Sequence, residues 1–299
     1  MIIACIPAYN EESSIAKVVL RAKSYVDLVM VCDDGSSDDT GMIAEALGAK
    51  VIRHERNMGK GEALKSLFKE ALNLKPKVVV TIDADGQHSP DEIPRLIEPV
   101  LKGEADIVVG SRYLPSGKYL DIPLYRRLGL YFINKLSIKV GGVKVRDAQS
   151  GFRAFSLKAL EALQPLLESK GYEVEVEQLI KARELGLRVM EVPITVKYKG
   201  VLRPSKKNPL SHGGRLVSFL LSKTVERHPL WYLGAPGLII ITIGLYLVNQ
   251  LFHLFNQTRY FSLPIAIIAL GAILTGLLMI LTSIMIHELS KLKEAKPIT

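Results

Sequence analysis

The chain has 299 residues, of which 48% are hydrophobic and 23% are charged, and its formal net charge is +9. This composition excludes a protein wholly embedded in a membrane and indicates a soluble domain joined to a membrane segment. The positive charge favours phosphate groups and a membrane surface as partners. Nucleic acid is not expected as a partner, because the sequence contains no nucleic-acid recognition module and no aromatic-basic RNA motif.

Strands and helices are predicted to alternate from residue 1 to residue 110. The predicted strands are Ile2–Ile6, Leu28–Cys32, Lys50–Arg53, Lys77–Ile82 and Ile107–Val109. The predicted helices are Glu11–Lys23, Asp38–Leu47, Lys60–Leu74 and Pro90–Leu101. This alternation is typical of an α/β fold, in which a mainly parallel sheet is flanked by helices and binds ligands at the carboxyl ends of its strands. The two cysteines, Cys5 and Cys32, fall in these strands and are expected to be reduced core thiols.

The most informative segment is Val78–Gln87, a run of β-branched residues that ends in Asp83 and Asp85. The run predicts a buried central strand. Carboxylates are costly to bury without partners, so both are expected at the strand's end, where the sheet opens its ligand crevice. Hard oxygen ligands held this close together suit a divalent cation that bridges phosphates. Taken alone, the pattern also fits a turn with two solvated aspartates.

The middle of the chain is less regular. Residues Leu124–Val140 combine an apolar stripe with basic residues beside it, which predicts a basic amphipathic helix. After it we expect a strand over Gly151–Phe155, a helix over Tyr172–Leu185 and a strand over Arg188–Val196.

Residues 197–227 carry eight lysines and arginines against one acidic residue, Glu226. Leu216, Phe219 and Leu220 form an apolar stripe in the same region. The combination predicts an interfacial helix on the cytoplasmic leaflet of a membrane, with a solvated linker helix as the alternative.

Two apolar stretches follow, Gly234–Phe255 and Phe261–Ile286. Each is long enough to cross a bilayer core, which needs about 20 helical residues, and the short connection between them makes a hairpin. Basic residues flank both outer ends, so the positive-inside rule places the soluble domain and both termini in the cytoplasm. We therefore expect a two-span cell-membrane protein with a soluble domain at 1–210, an interfacial helix at 211–230, a hairpin at 231–290 and a basic tail at 291–299. Two helices bury little surface against each other, which is compatible with a homo-oligomer packed through the membrane helices.

Five short motifs follow one another along the first half of the chain. They are Ile6–Glu12 (IPAYNEE), Val31–Ser36 (VCDDGS), Asp83–His88 (DADGQH), Gly110–Tyr113 (GSRY) and Asp147–Phe152 (DAQSGF). Over residues 1–230 this order resembles the family 2 inverting glycosyltransferases with the GT-A fold, and among them the polyprenyl-phosphate glycosyltransferases such as dolichyl-phosphate mannose and glucose synthases. The resemblance implies metal-dependent, inverting transfer of a hexose from a GDP-mannose or UDP-glucose type donor to polyprenyl (dolichyl) phosphate, giving a β-linked lipid-phosphate sugar.

The same resemblance implies a donor site. It comprises Pro7, Tyr9, Glu11, Asp33, Asp34, Asp83, Asp85, Gln87, Arg203 and Lys206, of which Asp83, Asp85 and Gln87 would organise Mg²⁺ or Mn²⁺ on the donor diphosphate. The segment around Arg203 and Lys206 departs from the family's basic loop in the spacing of its glycine and arginine. Lys60 could reach the diphosphate or be an ordinary residue of a first helical turn.

An acceptor site is implied as well, with Ser111, Arg112, Arg126 and Arg127 at the acceptor phosphate. A phosphate monoester has a second pKa of about 6 and is mostly a dianion near neutral pH, so it needs positioning and charge compensation more than a strong base. Arginine supplies both through bidentate hydrogen bonds. Asp147 could be a weak base, the orienter of an arginine or a cap before the Gly151 turn. The expected catalytic residues are Asp85, Arg112, Arg126 and Asp147.

Four alternatives remain open on the sequence alone. The donor could be a UDP-N-acetylhexosamine. A processive polysaccharide synthase would share the two aspartates, but it would carry a Q-x-x-R-W motif, and the single tryptophan, Trp231, lies outside one. A nucleotidyltransferase would place a glycine-rich loop where Pro7–Glu11 stands. A membrane-anchored nucleotide-sugar binder would lack turnover.

Overall fold

The computed structural model describes residues 1–115, 118–120, 131, 134–135, 137–140, 142, 144–197 and 209–295. The chain divides into two compact units, Met1–Val217 and Ser218–Thr299. Most of the predicted helix Leu124–Val140 lies outside the described residues, as do Arg126, Arg127, Arg203 and Lys206.

The first unit is built on a large, mainly parallel sheet, as the sequence predicts. Its strands are β1 (Ile2–Ala8), β2 (Leu28–Asp33), β3 (Lys50–Arg53), β4 (Val78–Thr81), β5 (Ile107–Ser111), β7 (Arg153–Ser156) and β8 (Val189–Pro193). In space they follow the order β3-β2-β1-β4-β7-β5-β8. Only β7 runs antiparallel to its neighbours in this sheet of the described chain, between β4 and β5. A small second sheet pairs β6 (Lys118–Leu120) with β9 (Thr195–Lys197) in parallel.

Six helices described in this unit cover the sheet. They are α1 (Ile15–Ala22), α2 (Thr40–Ala46), α3 (Lys60–Asn73), α4 (Ile93–Leu101), α5 (Leu157–Leu163) and α6 (Val174–Glu184). Alternate residues of each strand enter two separate cores: Ala4 and Ile6 of β1 pack with α1 and α4, whereas Ile3 and Cys5 pack with α3 and α5. A sheet covered on both faces explains why its strands are continuous apolar runs.

The predicted strand Arg188–Val196 is two strands in different sheets. β8 ends at Pro193, and the buried Ile194 carries the chain across to β9 while its backbone N–H still bonds Ser111 of β5 at 3.1 Å. Proline has no N–H to donate to a strand ladder, which accounts for the break at this point.

Helix α1 begins at Ile15, four residues later than predicted. The backbone N–H groups of Glu11 and Glu12 donate to the side chains of Thr40 and Asp38. Because these donors serve the loop that follows β2, residues 11–14 form a turn instead of the first turn of the helix. Helix α5 was missed from the sequence because it is short, although its Ser156 cap, whose Oγ accepts the Ala159 N–H at 3.1 Å, was a usable signal.

The second unit contains the two long apolar helices. Helix α7 (Pro209–Arg227) crosses the boundary between the units, and the hairpin consists of α8 (Ala235–Thr258) and α9 (Leu263–Ala295). The stretches Leu230–Thr258 and Leu263–Lys291 are long and apolar enough to be membrane spans. A Cβ added at Gly237 would lie 2.8 Å from the Gly276 carbonyl oxygen, so glycine permits the two helix backbones to approach closely.

A fully buried arginine, Arg153, ties the start of β7 to its surroundings. Its guanidinium donates to the carbonyl oxygens of Ala148 and Ser150, at 2.9 and 2.7 Å, and to the backbone of Glu175 and the side chain of Gln178 in α6, at 2.6 and 2.9 Å. Burial lowers the pKa of Arg153 to about 10, which leaves the group charged at neutral pH. Arg153 therefore fixes the Asp147–Phe152 segment against α6.

Replacement of Arg153 tests how much it contributes to the stability of the fold. Arg153→Met leaves four buried acceptors without a donor and is expected to lower the free energy of unfolding by about 3 kcal/mol or more. The matched control is Arg188→Met, since the Arg188 guanidinium also makes several hydrogen bonds, to Asp106 and to the Gly103 carbonyl oxygen, but its side chain is 57% exposed. The control should cost about 0–1 kcal/mol. Thermal unfolding of the full chain in detergent measures both, and equal shifts would contradict a special role for Arg153.

Candidate active site

Five of the sequence motifs meet at one edge of the sheet. β1, β2, β4 and β5 run in the same direction, so the segments after Ala8, Asp33, Thr81 and Ser111 emerge together. β7 runs the other way and begins there, with Arg153 opposite both Thr81 and Val109. The segment before it, Asp147–Phe152, therefore joins the others. We call this the carboxyl edge; it is where an α/β sheet binds its ligands.

The first two loops of the carboxyl edge are bonded to each other. The Asn10 N–H donates to Ser36 Oγ at 3.0 Å, and the Ser37 N–H donates to Asn10 Oδ1 at 2.8 Å. Pro7 is buried in the strand, Glu11 accepts a hydrogen bond from Ser14 Oγ, and Tyr9 has a side chain that is 38% exposed. These bonds tie the loop that carries Tyr9 to the loop after β2.

The two aspartates at the end of β2, Asp33 and Asp34, differ in the hydrogen bonds that their side chains accept. Asp34 accepts the N–H groups of Met58 and Gly59, at 2.9 and 2.8 Å, and its Oδ1 lies 2.7 Å from His54 Nδ1. Asp33 accepts the Ser36 N–H at 2.9 Å. Asp34 thus anchors the loop that leads into α3, a task that the sequence does not reveal.

Asp83 and Asp85 lie side by side at the centre of the edge. Asp83 Oδ1 is 2.5 Å from Lys60 Nζ, and Asp85 Oδ1 accepts the Gln87 N–H at 2.9 Å. Burial and the neighbouring Asp83 carboxylate, with a contribution from Glu11, raise the pKa of Asp85 to about 7. Burial also acts to raise the pKa of Asp83, but the Lys60 ammonium outweighs it, and the net shift is downward. Because the Asp83 carboxylate and burial disfavour the charged form of Asp85, an added cation beside the pair would favour that charged form.

The donor set fits a divalent cation that also binds a ligand. In the described part of the chain, no three His, Cys, Asp or Glu side chains are grouped so that they could hold a metal by themselves. Asp83 and Asp85 offer two carboxylates, and Gln87 stands two residues further on, half-buried. Mg²⁺ in proteins is commonly held by one or two carboxylates plus substrate phosphates, which matches this arrangement.

Arg112 and Asp147 form a two-pronged ion pair beside the aspartates. Arg112 Nε donates to Asp147 Oδ2 at 2.6 Å and its NH2 group to Oδ1 at 2.7 Å, while the Arg112 backbone N–H also donates to Oδ2 at 3.0 Å. Asp147 is fully buried, and although burial acts to raise its pKa, Arg112 more than compensates and the pKa is lowered. A carboxylate so engaged is an orienter of its arginine and a poor base.

The segment that carries Asp147 is itself held by two further side chains. Glu191 accepts the N–H groups of Arg146 and Asp147, at 2.8 and 3.0 Å. Asn134 donates to the Arg146 carbonyl oxygen at 2.6 Å and accepts the Ala148 N–H at 2.8 Å. Ser111, predicted at the acceptor phosphate, is fully buried at the end of β5.

Glu175, Tyr172 and His88 were not singled out as site residues from the sequence. Lys60 lies between Asp83 and Glu175, Tyr172 faces the Lys60 ammonium, and His88 lies buried against the Phe152 ring, with 5.3 Å between ring centroids. For Lys60 the sequence left two roles open. Glu175 had no signal at all, because it reads as an ordinary acidic residue in the first turn of a helix.

Comparison with known proteins agrees with this geometry. Residues 3–164 match the family described as Glycosyl transferase family 2. The UDP-N-acetylglucosamine–dolichyl-phosphate N-acetylglucosaminyltransferase of Methanococcus voltae is 38% identical over 216 residues, which cover 66% of this chain and 86% of that protein. The undecaprenyl-phosphate mannosyltransferase of Micrococcus luteus is 34% identical over 202 residues, covering 65% of this chain and 82% of that protein.

A solved structure shares the fold. Glucosyl-3-phosphoglycerate synthase from Mycobacterium tuberculosis, in complex with Mn²⁺, UDP and glucosyl-3-phosphoglycerate, aligns with a TM-score of 0.57 at 28% identity, over 76% of this chain and 79% of that one. The family match, the relatives and the sheet with its carboxyl edge agree, and the chain belongs to glycosyltransferase family 2, as a glycosyltransferase with the GT-A fold.

Proposed function

We propose that this glycosyltransferase transfers a hexose from a nucleotide-diphosphate sugar of the GDP-mannose or UDP-glucose type to a polyprenyl phosphate at the cytoplasmic face of a membrane. The observation that carries the proposal is the pairing, at one carboxyl edge, of two acidic side chains with an oriented arginine, in a chain that also has two candidate membrane spans. The names of the Methanococcus voltae and Micrococcus luteus relatives, both of which act on lipid phosphates, support it.

The donor half of the proposed site consists of the loops after β1, β2 and β4. Tyr9 and Asp33 are suited to the nucleoside, and Asp83, Asp85 and Gln87 to a cation on the diphosphate; Arg203 and Lys206 complete this half in the proposal. Mg²⁺ or Mn²⁺ would supply charge neutralisation of the leaving nucleoside diphosphate. The Mycobacterium tuberculosis enzyme, whose crystals contain Mn²⁺ and UDP, supports both groups as ligands of this fold.

The acceptor half centres on Arg112, and Arg126 and Arg127 are proposed as further ligands of the acceptor phosphate. A phosphate oxygen of the lipid attacks the anomeric carbon, the bond from that carbon to the donor diphosphate breaks, and the nucleoside diphosphate leaves with the bonding electron pair. Because the phosphate monoester is mostly a dianion near neutral pH, no proton has to be removed from it. Asp147 accordingly serves to orient Arg112. In-line attack inverts the configuration and gives a β-linked product from an α-linked donor.

The second unit suits a lipid acceptor. We propose that the hairpin spans the membrane, with α7 at the cytoplasmic leaflet and both termini in the cytoplasm, according to the placement of basic residues. In the same proposal, residues 1–210 form the catalytic domain, residues 211–230 form the interfacial helix, residues 231–290 form the hairpin and residues 291–299 form the tail. The protein is also proposed to self-associate through the membrane helices. This arrangement would attach the enzyme to the membrane in which a polyprenyl phosphate resides.

An N-acetylhexosamine donor is the second candidate. The Methanococcus voltae relative, whose name specifies UDP-N-acetylglucosamine, supports it.

Removing a carboxylate from the donor half tests the metal assignment. Asp85→Asn is expected to lower transfer of radiolabelled hexose into an organic-extractable lipid by at least about 100-fold, since metal stabilisation of the leaving group is worth several kcal/mol. EDTA should abolish transfer, and added Mg²⁺ or Mn²⁺ should restore it. Asp91→Asn is the matched control, because Asp91 is exposed and pairs with Arg21 on α1 at 3.0 Å. Full activity of Asp85→Asn would refute the assignment.

Uncoupling Arg112 from its carboxylate tests the acceptor half. Asp147→Asn is expected to raise the KM for polyprenyl phosphate and to lower kcat/KM by about 10-fold or more, because a charge-assisted bidentate pair is lost. Asp106→Asn is the matched control: Asp106 accepts the backbone N–H, Nε and NH2 groups of Arg188 in the same pattern, at the opposite edge of the sheet. If Asp147 were the base, kcat would fall and KM would stay constant.

Ligand-induced stabilisation tests the choice of donor. A ligand that binds only the folded chain, at about 100 times its Kd, adds about 2.7 kcal/mol to the free energy of unfolding. GDP-mannose or UDP-glucose with Mn²⁺ is expected to raise the Tm, whereas a rise with UDP-N-acetylglucosamine alone would favour the second candidate. A long polymer product in the transfer assay would instead indicate a polysaccharide synthase.

A further inference from the structure

A buried chain of three charged groups extends from Asp83 into the interior of the first unit. Lys60 Nζ lies 2.5 Å from Asp83 Oδ1 and 2.6 Å from Glu175 Oε1. The Lys60 side chain is 10% exposed and the Glu175 side chain 4%. The Tyr172 ring faces the ammonium, with 5.2 Å from Nζ to the ring centroid. One lysine is thus shared between a residue of the donor half and a carboxylate to which the proposed reaction gives no role.

The surroundings hold this lysine tightly in place. Lys60 is the first residue of α3, and the Gly61 N–H bonds the Lys170 carbonyl oxygen at 2.8 Å, so the start of the helix is fixed from outside. A Cβ added at Gly151 would lie 2.6 Å from Lys60 Nζ and 3.0 Å from Asp83 Oδ2. Glycine at position 151 therefore leaves just enough space for the pair, and the ammonium stays next to Asp83.

A cation bound at Asp83 and Asp85 has to share Asp83 with this ammonium. Like charges repel, and the repulsion between groups a few ångströms apart is large when the site is shielded from water. Glu175 acts in the opposite sense, because it attracts the same ammonium and compensates part of its charge. The two residues thus have opposite influences on a cation at the carboxyl edge, although neither needs to touch it.

We propose that Lys60 and Glu175 are positioning residues that set the divalent-cation affinity of the Asp83 and Asp85 site, Lys60 by competing for Asp83 and Glu175 by sharing Lys60. The inference rests on the proposed function, which puts the cation there. It assigns Lys60 to Asp83, in contrast to a direct contact with the donor diphosphate. It also gives the buried carboxylate of Glu175 a function beyond packing.

The test is the binding of Mn²⁺ to the full chain purified in detergent, with free Mn²⁺ measured by electron paramagnetic resonance and no nucleotide present. Lys60→Met is expected to tighten Mn²⁺ binding by at least about tenfold, because one nearby positive charge is removed. Glu175→Gln, which is nearly isosteric, is expected to weaken binding, since Lys60 then acts on Asp83 undivided. The double variant should bind Mn²⁺ about as tightly as Lys60→Met, because Glu175 acts through Lys60.

The matched control is Lys65→Met. Lys65 lies on the same helix and pairs with Glu62 at 2.7 Å, and its side chain is 20% exposed. Its removal changes the net charge equally but away from the edge, so Mn²⁺ affinity should stay unchanged. A Tm measured for each variant identifies folded protein, and if Lys60→Met does not fold, Lys60→Gln makes the same charge change with the same expected result.

Three outcomes would overturn the inference. If Lys60→Met and Glu175→Gln both weaken Mn²⁺ binding, the pair only keeps the site in shape. If Lys65→Met tightens binding as much as Lys60→Met, the effect is one of net charge. If wild-type protein fails to bind Mn²⁺ even with GDP or UDP added, the cation site of the proposed function is wrong, and this inference falls with it. Opposite shifts from the two variants, with an unchanged control, support it.

Discussion

The concentration of carboxylates at one edge of a covered sheet is the constraint on which this site depends. Unpaired charges cost several kcal/mol each to remove from water, so the edge can exist only where cations lie beside the acids. Lys60 at the start of α3 and Arg112 after β5 meet this need from two different elements. The buried Arg153 supports the site indirectly, because it fixes the segment before β7 that brings Asp147 to Arg112.

The two halves of the proposed site differ in how completely their negative charge is neutralised by nearby cations. Asp147 is matched by an arginine fork that satisfies both of its oxygens, which makes it a fixed structural anion. Asp83 and Asp85 share less positive charge, and burial together with the neighbouring Asp83 carboxylate raises the pKa of Asp85 to about 7. The Arg112–Asp147 ion pair is complete. Asp83 and Asp85 are the carboxyl groups that an added cation would stabilise most. The proposed function calls for this asymmetry, because in it the acceptor brings negative charge and the donor arrives with a metal.

Sequence reasoning was most successful where the signal is local. The apolar run before Asp83 and the order of the motifs led to the fold and to the edge at which the motifs meet, because strand periodicity and strand ends are properties of neighbouring residues. It failed where the partners are distant in the chain. The pairing of Lys60 with Glu175 and the reversed direction of β7 depend on tertiary packing, and the break at Pro193 only becomes meaningful once the neighbouring strand is known.

The position of β7 has a consequence for how the chain is made. β4 and β5 are consecutive in sequence among the strands of the large sheet, yet they are not neighbours in it, because the later β7 separates them. During synthesis, both strands must wait with open hydrogen-bonding edges until the chain has reached Ser156. Strands that are distant in the sequence pair slowly, and an unpaired strand edge can hydrogen-bond to a strand of another chain. The same strand that brings Asp147 to the carboxyl edge therefore makes the nascent protein vulnerable to aggregation before the two long apolar helices have been translated.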